Sequence, residues 1–210
     1  MPATVTASEL RTAGIPGLTG TTEDTRLTAL IARVDAQIAA WLGYTPASAG
    51  GSASAMTATY TDYLDGPDDD DASILRLGTW PIQSVTSIYD DANRAYGATT
   101  LVSSSDYELD AERGLVLALP TGAHASWTSS LRAIKVTYVA GYSTTPGWLY
   151  DATILECQHR LRTRAAGPVE SVSRKGATMR LSASEGLTEE ARGMLWPHRL
   201  PRAILSGVGA

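Results

Sequence analysis

From residue 27 onward, apolar side chains recur at three- and four-residue steps: Leu27, Leu30, Ile31, Val34, Ile38, Trp41 and Leu42. That spacing puts them on one face of an α-helix and predicts a helix from about Glu23 to Leu42. Thr21 or Thr22 can cap its start. Glu23 and Asp24 fall in the first turn, where the helix dipole favours negative charge, and Gly43 stands where a left-handed residue would end it. Residues 6–20 read as a loose lead-in, with turn formers at Gly14, Pro16, Gly17 and Gly20. Residues 46–55 are a linker of small residues, and after them the period changes from helical to alternating. Met56 to Tyr63 suit an exposed strand, and short strands follow around Ile74–Leu77, Ile82–Tyr89, Tyr107–Leu109, Leu115–Leu119 and Ala133–Val139. Ile134, Val136 and Tyr138 should face one side of a sheet and Lys135 and Thr137 the other. Asp110 to Gly114, a short connection ending in glycine, should close a hairpin.

The helical period returns after Thr145 and Pro146, in the cap-then-proline order of a helix start. Tyr150, Ile154, Cys157 and Leu161 form a stripe, widened by Trp148 and Leu155, and Gly167-Pro168 should stop the helix. Further on, Leu187, Ala191, Met194 and Leu195 have helical spacing, with Thr188 as cap, Glu189 and Glu190 in the first turn and Pro197 as terminator. A helix of about two turns does not hold alone in water, so this segment must dock on its own body or on a partner. The expected fold class is α+β: a helical bundle with an inserted small antiparallel β module and an extended C-terminal segment carrying a short helix. The expected domain boundaries are 1–45 for the lead-in and first core helix, 46–142 for the β module, 143–167 for the second core helix and 168–210 for the C-terminal segment.

Composition sharpens this. The 210 residues, 43% apolar and 19% charged, fit a globular chain able to bury a core, and 19 Gly and 10 Pro imply many turns. No apolar run approaches the ~20 residues of a membrane span, and the first residues show no secretory signal. A single cysteine, Cys157, excludes an internal disulfide framework and fits a reducing site of synthesis. The net charge of −5 is unevenly spread: residues 159–210 hold nine Lys and Arg against four Glu, leaving eight against eighteen acids elsewhere. An acidic body argues against a protein that coats duplex DNA. The basic tail either docks on something acidic or is kept soluble by scattered charge.

Candidate chemistry is sparse. There is no Gly-x-Ser-x-Gly elbow, phosphate loop or dinucleotide fingerprint. His124, His159 and His198 are scattered, and Cys157-x-His159 alone cannot make a structural zinc site of four ligands, so no metal and no cofactor are expected and Cys157 reads as a small buried hydrophobe. Asp65-Gly66-Pro67-Asp68-Asp69-Asp70-Asp71 lacks the spacing and the distal Glu of a calcium loop and reads as a solvated turn. No zinc finger or aromatic single-strand signature points to specific nucleic-acid recognition.

The order of parts resembles a known family. Trp41-Leu42-Gly43-Tyr44 closes a capped amphipathic helix. The strand region then carries Leu75-Arg76-Leu77-Gly78-Thr79-Trp80-Pro81-Ile82-Gln83-Ser84-Val85-Thr86-Ser87-Ile88, followed by Asp106-Tyr107-Glu108-Leu109, Gly114-Leu115-Val116 and Ile134-Lys135-Val136-Thr137-Tyr138-Val139-Ala140-Gly141-Tyr142, before the helix that follows Pro146. Over about residues 20–205 this resembles the head–tail adaptor (connector) proteins of long-tailed bacteriophages and phage-derived gene transfer agents. The resemblance implies a structural virion protein and no enzyme. It implies a ring, usually of twelve copies, between the portal and a stopper or tail-completion protein in the neck, with host cytoplasm as the site of assembly. Duplex DNA would pass through without specific binding, and no membrane is involved. In that family a C-terminal segment packs on the portal. Carried onto this sequence, portal docking falls on Arg174, Lys175, Arg180, Leu195, Trp196 and Arg199, with the segment resting on a neighbour instead of on its own fold. A stopper or tail-completion protein is the alternative, and a carbohydrate-binding or hydrolase module built on the β region is a more distant one.

Overall fold

The computed structural model describes residues 3–13, 20–48, 50–67, 73–166, 171–174, 177–180 and 186–200, with backbone alone for 164–166, 171–174 and 177–180. In chain order its elements are α1 (Ala7–Thr12), α2 (Asp24–Leu42), β1 (Ala58–Leu64), β2 (Ile74–Arg76), β3 (Ile82–Asp90), β4 (Tyr107–Asp110), β5 (Leu115–Ala118), β6 (Ile134–Ala140), α3 (Gly147–Ala166), β7 (Ser171–Arg174), β8 (Ala177–Arg180) and α4 (Glu189–Leu195). The fold is α+β. Two compact units divide it: Met1–Gly43 with Thr144–Arg199, and Tyr44–Ser143 with Leu200–Ala210.

The first unit is helical. Leu27, Ile31, Val34, Ile38 and Leu42 of α2 are buried as the spacing requires, and Gly43 ends the helix at φ 103°, with its N–H donating to Ala39 and Ala40. The start differs from the expectation. Glu23 occupies the N-cap position with no side-chain cap bond, so neither Thr21 nor Thr22 serves there. The supposed lead-in contains α1, opened by a reciprocal capping box between Thr6 and Glu9 and anchored by fully buried Leu10, and Arg11 pairs with Asp24 of α2. In α3 the buried face is Leu149, Ala152, Thr153, Glu156 and Cys157, while Tyr150, Ile154 and Leu161 are only half-buried. The stripe is rotated toward Glu156 because this carboxylate has partners on both oxygens. Arg160 Nε donates to Oε1 at 2.8 Å, and the Thr188 N–H, at the head of α4, donates to Oε2 at 3.0 Å. The helix ends at Ala166; Gly167-Pro168 lie outside the described residues.

α4 begins as expected, with the Thr188 hydroxyl accepting the Ala191 N–H at 3.3 Å, and it packs on α3. Leu187, Ala191 and Leu195 are buried there. The expectation that this stretch rests on a neighbour is corrected for α4. A helix too short to persist alone is held by its own unit, through apolar burial and the Glu156 anchor.

The second unit has two three-stranded antiparallel sheets, ordered β1-β6-β3 and β2-β5-β4. Both send alternate side chains into one core: Tyr60, Ile88, Ile134, Val136 and Tyr138 from the first, Leu75, Val116 and Ala118 from the second. The β4–β5 hairpin turns where the Asp110–Gly114 segment predicts, with Gly114 at φ 66° and the Asp110 carboxylate accepting the Arg113 N–H at 3.1 Å. Ile134, Val136 and Tyr138 point inward and Lys135 and Thr137 outward, as alternation dictates.

Candidate functional site

The side chains that stand out in the helical unit follow α4. A single 3-10 turn, Trp196–His198, carries the chain out of the helix, and Trp196 is left 65% exposed. An exposed indole of this size is a characteristic anchor of protein interfaces. It is held in place. Its ring lies 6.2 Å from that of Trp41, at the C-terminal end of α2, and the Arg199 guanidinium stacks over both, 4.7 Å from Trp41 and 5.3 Å from Trp196. Arg199 Nε also donates to the Trp41 carbonyl at 3.2 Å, so the guanidinium satisfies one of the acceptors left over at the helix end while adding a cation–π contact. Beside them Trp148, in the first turn of α3, stacks on His198 with ring centroids 4.0 Å apart and planes 5° from parallel.

The six residues assigned from sequence to portal docking are therefore not one cluster. Trp196 and Arg199 come together at an accessible aromatic–cationic spot. Leu195 does not join them: it is fully buried in the helical unit, because its position on α4 points inward, and the assignment of Leu195 to an exposed docking surface is corrected. Arg174 ends β7 and Arg180 ends β8 of a two-stranded hairpin, at opposite ends of its register, while Lys175 lies outside the described residues. Sequence reasoning missed Trp41, Trp148 and His198. Trp41 was legible as part of an amphipathic face, but nothing in the linear pattern shows that it ends under Arg199.

Other candidate chemistry resolves into structure. Cys157 is fully buried and its thiol is pushed up to about 12, mainly by burial, which leaves it inert. His124 is bonded to the buried Asp90 carboxylate at 2.7 Å. Asp68–Asp71 lie outside the described residues; Asp65 ahead of them accepts the Arg132 N–H at 2.7 Å. No group of three or more metal-ligating side chains occurs among the described residues, and none of the described helices is long and apolar enough to cross a membrane.

Comparison with known proteins adds the following. No curated protein matches the sequence. Among solved structures, the chain is similar to one in the neck of a native GTA particle computed with C12 symmetry, at 17% identity and a TM-score of 0.49, over 95% of this chain and 90% of that one. The model of the family described as head completion protein matches residues 6–200, from the capping box of α1 through the aromatic spot after α4, and the chain belongs to that family.

Proposed function

We propose that this chain is a structural component of the virion neck, a head–tail adaptor that forms a ring joining the portal to the stopper or tail-completion ring and lets DNA pass. The observation that carries the reading is the family match over residues 6–200. It accounts for nearly the whole chain and leaves α1, α2, the β unit, α3 and α4 all inside one structural role. The aromatic–cationic spot supplies a candidate attachment point. Trp196 and Arg199 present area and charge on a surface pre-set by Trp41, so little side-chain freedom is lost when a partner covers them. Arg174, Lys175 and Arg180 belong to the same proposal as basic residues that approach the portal. Leu195 does not, since it supports the surface from beneath.

Deleting the whole C-terminal segment would remove α4 and with it part of the core, so a point substitution is the cleaner test. Trp196→Ala should leave the thermal midpoint close to the wild type, because the ring is mostly exposed, while weakening co-purification with the portal by at least tenfold. Undiminished portal capture by the variant would remove Trp196 from the attachment, and capture of the tail-side ring alone by the wild type would place the chain at the stopper position instead.

A further inference from the structure

The outer faces of the two sheets in the second unit differ sharply. On β1-β6-β3 the register sets Tyr63 and Tyr89 on either side of Lys135. The Lys135 ammonium lies 6.0 Å from the Tyr63 ring and 5.7 Å from each of Tyr89 and Tyr96, and Arg132 stacks over Tyr63 at 4.9 Å. Tyr63 is 42% exposed. This face is built at a conformational cost. Arg94, Tyr96 and Arg132 all have positive φ, 60°, 49° and 51°, in a region that side-chain-bearing residues disfavour. The Asp91 carboxylate fixes the turn by accepting the N–H groups of Asn93, Ala95 and Tyr96 at 2.8–3.0 Å, and the Tyr96 hydroxyl donates to the Arg132 carbonyl at 2.6 Å.

On β2-β5-β4 the corresponding row is Ile74, Leu117 and Glu108, and the next is Arg76, Leu115 and Asp110. Ile74, Leu115 and Leu117 line an open groove of about 520 Å³, edged by Glu108, Asp110 and Glu112, with Leu117 37% exposed. Arg113 reaches Asp110 at 3.8 Å; among the described residues neither Glu108, Glu112 nor Lys135 has an ion-pair partner. Because the inner faces of both sheets meet in one core, these outer faces look away from each other.

We propose that the two faces bind each other between copies of this chain: the tyrosine–lysine face of one copy seats on the Leu117 groove of the next. Aromatic rings would cover the aliphatic groove, and Lys135 and Arg132 would meet Glu108 and Glu112, so that apolar burial and charge are both matched. A contact between unlike faces is head-to-tail, so it propagates from copy to copy instead of ending at a dimer, and it makes a ring where the rotation between copies closes. The proposal rests on the ring reading and names the surfaces that make it.

Introducing Tyr63→Cys and Leu117→Cys together places one thiol on each face, while buried Cys157 stays unreactive. At about 1 mM, where contacts in the millimolar range are populated, a short bis-maleimide should give a ladder of covalent species beyond the dimer from the double variant. Each single variant should give none. Sedimentation of the wild type at the same concentration separates the two levels of inference. Wild-type oligomers without a ladder, or cross-linking by a single variant alone, would overturn these surfaces and leave the ring reading standing; no oligomer and no ladder would overturn both. As a second arm, Arg132→Glu/Lys135→Glu and Glu108→Lys/Glu112→Lys should each fall below wild-type association by at least tenfold and recover when mixed, since each then offers the other a complementary face. Failure of the mixture to recover, with both variants folded, would contradict the pairing.

Discussion

Glu156 lies fully inside the helical unit, and its two oxygens go to different elements: one to Arg160 of its own helix, the other to the Thr188 N–H that opens α4. Removing it takes the counter-charge from a partly buried guanidinium, which keeps only its bond to the neutral Gln37 side chain, and leaves the Thr188 N–H without its acceptor. Glu156→Ala should cost about 3 kcal/mol in urea unfolding, and Glu156→Gln, which keeps an acceptor for Thr188, clearly less. Asp35 has a similar role at the other terminus, accepting the Thr4 N–H at 3.0 Å and the Thr153 hydroxyl at 3.4 Å. Burial raises its pKa above the usual 3.8, and the hydrogen bonds only partly offset that. With the folded value above the unfolded one, the native state binds the extra proton. The contribution of Asp35 is therefore fully present below pH 3.8 and is lost as pH rises through its folded value. Asp35→Asn should remove that downward slope, so the variant gains stability relative to the wild type on going from below that pH to neutral, as pH-dependent urea midpoints would show. Neither carboxylate stands out in the sequence, because hydrophobic periodicity treats an acid on a helix as solvent-facing.

At the scale of elements the pattern was largely readable. The helix over Asp24–Leu42 and the six strands of the β unit fall within a residue or two of their expected positions, because each has a clean period and a turn-forming boundary. α1 was missed although its signal was present: Thr6-Ala7-Ser8-Glu9 is a capping box, but six residues offer no periodicity to confirm it. The burial of α3 was misjudged because a satisfied carboxylate replaces an aliphatic at its centre. The Val136–Tyr142 part of the stretch that carries the family resemblance has a physical basis. Tyr138 donates its hydroxyl to Asp62 at 2.6 Å and accepts the Thr79 N–H at 3.2 Å, tying β6 to the segment after β2. Gly141, at φ 104°, brings its backbone so close to Met56 that a Cβ there would lie 2.6 Å from the Met56 carbonyl oxygen. Gly141→Ala should destabilise the protein by about 2 kcal/mol or more, since both the backbone conformation and the contact fail. Tyr138→Phe should cost about 2 kcal/mol, through the loss of a hydrogen bond to a charged acceptor. Chemical denaturation measures both.

For the whole molecule, charge and chain order narrowed the role more than any motif. With an acidic net charge of −5, duplex affinity should be weak at physiological salt, as fluorescence anisotropy would register. The aromatic–cationic spot was only half legible. Trp196 and Arg199 could be named from the tail, whereas the surface they form depends on Trp41, which only the fold brings beneath them. Leu195, their neighbour in sequence, turns inward. The most direct measurement is a reconstruction of the particle neck with this chain traced. An adaptor would form a ring directly beneath the portal, with Trp196 and Arg199 covered by portal residues. A trace that put the chain on the tail side, with Trp196 open to solvent and no portal contact, would contradict it.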